Sequence, residues 1–221
     1  MRGFLSKVGA AALVCFSFLA GVPSTQAGDS YSYLANPTGF AADTSNPLDG
    51  VGDTAGPLGL ALDMFRNASD ASSSAVQDRR AILEVYLPSL PGGLALAAAT
   101  LEFEVYTYNS LQPVSIFLYG GDGLITPADY GRTDLLAFSG VIDDPTPYID
   151  VTSEVQTILN SGSQWVGVLI GMTAEDQAFS IYNTGYGPIE PSLKIKVVPE
   201  PATLTLAGLL VLLTFARRRR S

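Results

Sequence analysis

The chain has 221 residues, no histidine, one cysteine and a formal net charge of −9. Between Gly28 and Val198 stand six bases and twenty acids, a net of −14. A surface of that sign repels DNA, RNA and anionic lipid, so nucleic acid is not a partner. With Cys15 in the leader, the absence of histidine also excludes Cys/His zinc sites, a thiol nucleophile and a Ser-His-Asp triad.

Residues 1–27 read as a secretory signal peptide. Arg2 and Lys7 give the positive start, Val8 to Ala20 the apolar run, and Thr25-Gln26-Ala27 the small residues before cleavage between Ala27 and Gly28. The export machinery is therefore an expected partner. Ala12-Leu13-Val14 before Cys15 is no lipobox, and lipidation is not expected.

Residues 28–80 read as irregular, with short strands at Tyr31-Ser32-Tyr33 and Leu58 to Met64. Asp43, Asp49, Asp53 and Asp63 invite a calcium reading, but no D-x-[DN]-x-[DN]-G spacing occurs, and such acids ordinarily solvate loops or form Asx-turns. Asn67-Ala68-Ser69 matches a glycosylation sequon and reads as an exposed polar loop.

From Arg80 a two-residue period takes over. It predicts strands at Ala81 to Tyr86, Thr100 to Tyr108, Val114 to Tyr119, Leu135 to Val141, Trp165 to Ile170, Ala178 to Tyr182 and Leu193 to Val198. Gly- and Pro-rich turns separate them, such as Gly120-Gly121-Asp122-Gly123 and Gly185-Tyr186-Gly187-Pro188. Short strands at this spacing predict an all-β fold, an antiparallel β-sandwich of jelly-roll type, over residues 28–198. One short helix is expected after a capping box at Ser153-Glu154-Val155-Gln156, with Val155, Ile158 and Leu159 on one face. It would plug an end of the sandwich.

Arg80-Ala81-Ile82-Leu83-Glu84-Val85, Leu87-Pro88-Ser89-Leu90-Pro91, Ala99-Thr100-Leu101, Asp150-Val151-Thr152 and Pro191-Ser192-Leu193 resemble the DNRLRE-type domain over roughly residues 70–198. The chain departs from that family at Glu84, Val85 and Tyr86, where an aromatic-acidic pair is usual. The resemblance implies an extracellular β-sandwich similar to carbohydrate-binding modules, with no single activity attached.

Glu102 and Glu104 are the tempting acid pair. At i and i+2 they share a strand face with Cα atoms about 6.7 Å apart, a spacing compatible with glycoside hydrolysis. The simpler expectation is that both solvate the outer face of a sheet. Tyr106 lies on that face and is the candidate glycan contact, since outward aromatics stack on sugar rings. Cross-strand pairing is the plainer role for such aromatics.

The chain closes with Pro199-Glu200-Pro201, fifteen uncharged residues from Ala202 to Ala216, and Arg217-Arg218-Arg219-Arg220 before Ser221. The prolines stop a strand. The apolar run would form a helix of roughly 22 Å, short of the ~30 Å hydrocarbon core, so it spans only with local thinning or arginine snorkelling. The arginines would stay on the cytoplasmic side. A core helix or a plain anchor are the alternatives.

Val198-Pro199-Glu200-Pro201, the short leucine-rich run and the terminal arginines, in that order, resemble the PEP-CTERM sorting signal. That signal is found on exported proteins of bacteria that make extracellular polysaccharide. The resemblance implies transient tethering in the inner membrane, processing near Pro199-Glu200-Pro201 by an exosortase-like enzyme, and display on or release from the cell. Neither catalysis nor a cofactor is expected, and the cell's exopolysaccharide is the candidate ligand.

Overall fold

A computed structural model describes residues 28–45, 47–67, 77–90, 94–106, 113–174 and 177–199. The expected signal peptide, the sequon serine and residues 200–221 lie outside these ranges. So do Ala27, Glu200, Pro201 and Arg217 to Arg220.

Twelve strands and one helix follow in chain order: β1 (Ser30–Leu34), β2 (Thr38–Asp43), β3 (Thr54–Pro57), β4 (Ala61–Asn67), β5 (Gln77–Tyr86), β6 (Leu94–Glu102), β7 (Pro113–Gly120), β8 (Leu135–Val141), β9 (Tyr148–Asp150), α1 (Thr152–Asn160), β10 (Trp165–Met172), β11 (Gln177–Tyr182) and β12 (Ser192–Pro199). A 3₁₀ turn covers Pro127–Gly131. All strand pairs are antiparallel. The smaller sheet has the order β1-β12-β6-β9, and the larger runs β11-β4-β5-β10-β7-β8 with β2 and β3 attached beside β5.

The main core lies between the sheets. Leu101, Leu193, Ile195 and Val197 come from the smaller sheet, and Leu83, Val168, Ile116 and Leu118 from the larger. This is the all-β sandwich that the alternating pattern predicts. In β12 Leu193, Ile195 and Val197 are buried while Lys194 and Lys196 are exposed, because successive strand side chains point to opposite faces. Burying each large aliphatic side chain contributes roughly 1.5–3 kcal/mol. A second, smaller core of Ala41, Ile82, Tyr119, Tyr130 and Leu169 sits on the other face of the larger sheet.

Several expectations need correction. Residues 28–80 are not mainly irregular: β2 pairs with β5 from Thr38↔Leu83 to Asp43↔Asp78, and β3 pairs with β2. The strand expected at Leu58 to Met64 starts at Ala61. Of the strand expected at Thr100 to Tyr108, Thr100 to Glu102 belong to β6, which extends back to Leu94, and Val105 forms a bridge to Ile181; residues 107–108 lie outside the described residues. The expected capping box does not form. The helix starts at Thr152 with Val151 at its N-cap, and Gln156 bonds forward to Asn160 at 3.0 Å. Asp150 instead takes the Thr152 N–H at 3.0 Å and its hydroxyl at 2.6 Å. Helix α1 drives Val155 and Ile158 into the core and packs on β6 and β7.

Candidate functional site

Strand β12 leads directly into the tail, so the place where it ends is the first site to build. The strand is central: it pairs with β1 along one edge and β6 along the other. Its last residues meet the start of β6, Val197↔Leu96, Val198↔Ala95 and Pro199↔Leu94. The antiparallel partner β1 brings the other end of the domain to the same corner. Ser30 pairs with Lys196, and Gly28 lies so close that a Cβ there would stand 2.1 Å from the Val197 carbonyl oxygen. Gly28, where cleavage of the leader is expected, and Pro199 at the start of the Pro-Glu-Pro tripeptide thus leave the sandwich side by side.

A groove of about 370 Å³ opens beside this corner. Leu94 and Leu96 of β6, Leu87 and Leu90 before it, and Leu159 of α1 supply its apolar wall. Gln156 and Asn160 line its rim, and none of the described lining residues is charged.

The two expected outer-face acids do not behave alike. Glu102 is buried, not solvated, because Lys194 forms an ion pair with it and Tyr148 of β9 stands opposite on the same face. The Glu102 carboxylate is the main cause that raises the Lys194 and Tyr148 pKa values. Glu104 is half-buried, and its Oε2 accepts the Ile189 N–H at 3.1 Å. Both carboxylates are therefore engaged in holding the fold. Tyr106 is exposed but lies beyond the end of β6 and not on a strand; its ring stands edge-on to Tyr182 at 4.9 Å and 82°.

One acid group escaped sequence reasoning. Glu84 is wholly buried on β5. In the register it faces Gly167 of β10, which in turn faces Tyr119 of β7. Gly167 has to be glycine here, because a Cβ would fall 2.2 Å from the Tyr119 ring. The ring lies over that gap, and the Arg132 guanidinium stacks 4.4 Å from its centroid. Gly121 presses on the acid from the adjoining loop, with room for no Cβ within 1.9 Å of Glu84 Oε2. Glu84 Oε1 and the Tyr119 hydroxyl are both buried, and the Gly123 N–H points to Glu84 Oε2 at 3.4 Å. Burial pushes the Glu84 carboxyl up to about 7. The Tyr119 hydroxyl and the Gly123 N–H oppose that rise, and the Asp129 and Asp122 charges add to it. The Tyr119 phenol is raised far above its ordinary value, again by burial first and the Glu84 charge second. The available signal was an acid in the apolar run Ala81 to Val85, ahead of a Gly-rich turn.

Asp43 and Asp49 form the Asx-turns expected of such acids, with Ser45 and Val51, but Asp43 is buried and not solvated. Asp43 is buried and takes the Ser45 N–H at 3.0 Å and the Gly50 N–H at 2.7 Å, closing the loop after β2. Asp78, opposite it, accepts the Tyr130 hydroxyl at 2.7 Å and Arg80 at 3.1 Å. Among the described residues no group of three or more acids, histidines or cysteines converges to hold a metal. Nor is any described helix long and apolar enough to cross a membrane.

The described side chains thus build loops and sheets, while the corner at Pro199 carries the feature with a recognisable address. No curated protein matches the chain. Residues 197–220 match the PEP-CTERM protein-sorting motif, so the chain carries the signal of an exported protein that is sorted to the cell envelope or surface by an exosortase.

Proposed function

We propose that this is a non-catalytic envelope or extracellular-matrix protein whose β-sandwich is displayed or released by processing of its tail. The observation that carries the reading is the matched motif at residues 197–220, which begins inside β12 itself. The precursor is held in the inner membrane by residues 202–216, with the domain outside the cytoplasm and Arg217 to Arg220 inside. An exosortase-like enzyme cuts near Pro199-Glu200-Pro201. The engagement of Glu102 and Glu104 in structural contacts favours a non-catalytic role. The test is intact mass and fractionation in the native host beside a Pro199-Glu200-Pro201 to Ala-Ala-Ala variant. Wild type without its tail, and a variant kept full-length in the membrane, is the expected outcome. A wild type that keeps Arg217 to Arg220 in the inner membrane overturns the reading.

A second reading is a carbohydrate-binding module of jelly-roll type for exopolysaccharide. It is favoured by the exposed Tyr106 ring, braced by Tyr182 in a fixed orientation that suits stacking on a sugar face.

A further inference from the structure

The register of β12 fixes how far the groove is from the membrane-held segment. Pro199 is paired with Leu94, and Leu94 lines the groove. Only Glu200 and Pro201 separate Pro199 from the apolar run that starts at Ala202. The three steps from Pro199 to Ala202 reach at most about 11 Å even when fully extended. While the tail is held in a bilayer, the groove therefore sits within the interfacial layer.

The composition of the groove suits that position. The domain between Gly28 and Val198 carries a net charge of −14, yet no described residue lining this groove is charged. Leu90, Leu94, Leu96 and Leu159 are only partly buried by the core beneath them. Leucines left partly open at an interface gain by entering the headgroup and acyl boundary, in proportion to the apolar area covered. The amides of Gln156 and Asn160 at the rim bond to each other at 3.0 Å and present neutral polar groups toward headgroups. Gly28 emerges at the same corner, so both ends of the domain turn this end to one surface.

We propose that this groove is a lipid-docking surface, which seats the domain end-on against the membrane that holds its tail. The inference rests on the reading that residues 202–216 are held in the membrane. It adds that the domain is not a free ball on a tether but makes its own contact with zwitterionic lipid. Processing then removes the tether and leaves this contact too small to retain the protein.

The experiment uses the chain after removal of its leader, residues 28–221, which contains no cysteine. Single variants Leu94→Cys in the groove, Gln156→Cys on its rim and Tyr148→Cys carry an environment-sensitive fluorophore. Tyr148 pairs with Glu102, at the other end of β6 from Leu94 and about 26 Å along the strand. Each is reconstituted into phosphatidylcholine vesicles with brominated acyl chains. The expected result is blue-shifted emission at positions 94 and 156, with quenching several-fold stronger than at 148. The half-buried polar rim position guards against a fold disturbed by Leu94→Cys. Labels at 94 and 156 as wet as that at 148, in chains that float with the vesicles, overturn the docking surface and leave the tail reading intact. Chains that fail to float overturn both.

Discussion

Val197 donates its backbone N–H to the Asp29 carbonyl at 3.0 Å, so the first residues after the leader grip the last residues before the tail. The side chain of the same Val197 is 1% exposed. The first residue of the matched sorting motif is thus part of the core.

It follows that Val197→Asp destabilises the whole domain. A buried unpaired charge costs several kcal/mol, and more than about 3 is expected here. Urea unfolding of the exported protein checks this. Lys196→Asp, on the exposed face of the same strand, is expected to change stability by under about 1 kcal/mol.

Glu84 makes stability depend on pH. Its folded pKa, about 7, lies above its ordinary value. Between the two values the folded protein binds more protons than the unfolded chain, so stability falls as pH rises through this window. The loss levels off above pH 7, after a total on the order of 3 kcal/mol. Glu84→Gln is expected to flatten the curve between pH 4.5 and 7.5 and to raise stability at pH 8. Thermal melts across that range, wild type beside variant, provide the measurement. An unchanged slope in the variant would contradict the assignment.

The Gly167–Tyr119 contact predicts a coupled pair. Gly167→Ala forces its Cβ into the ring and is expected to cost about 2 to 4 kcal/mol, in line with overpacking in a tight site. Tyr119→Ala alone is costly because it empties the same space. The double variant is expected to cost less than the sum, by about 1 kcal/mol or more. Additive losses in denaturant titrations would show that the two positions do not share that space.

The ion pair of Lys194 with Glu102 predicts a small effect, since Lys194 is half-exposed and screened. Lys194→Ala is expected to lower stability by under about 1 kcal/mol, less than Gly167→Ala.

Glycan binding through Tyr106 predicts a thermal shift on adding the host's exopolysaccharide that Tyr106→Ala abolishes with the melting temperature otherwise unchanged. No shift with wild type counts against that reading.

The alternating segments were legible because their faces differ. In β12, lysines interleave with aliphatics, and in β7 Val114, Ile116 and Leu118 alternate with less buried residues. The first half of β6 was not legible: Leu94 to Ala99 is leucine and alanine throughout and carries no polar alternation. It becomes a strand because β12 pairs along it. Likewise β2 and β3 are rich in Gly, Ala and Thr, and their pairing with β5 decides them. The burial of Glu84 depends on Gly167 and Gly121, which are remote in sequence, so no local pattern announces it. The burial of Glu102 depends on its diagonal neighbour on β12, Lys194, in the same way. The sorting signal was legible in full because it is a linear message of tripeptide, apolar run and arginines.

The central place of β12 sets the order of events during export. A chain that crosses the membrane from its N-terminus delivers β12 after every other described strand. Until then β1 and β6 lack the neighbour that joins them, and the smaller sheet cannot close. Long-range closure of this kind is slow and leaves strand edges open while it waits. The smaller sheet is therefore closed last, by the very strand in which the matched sorting motif begins.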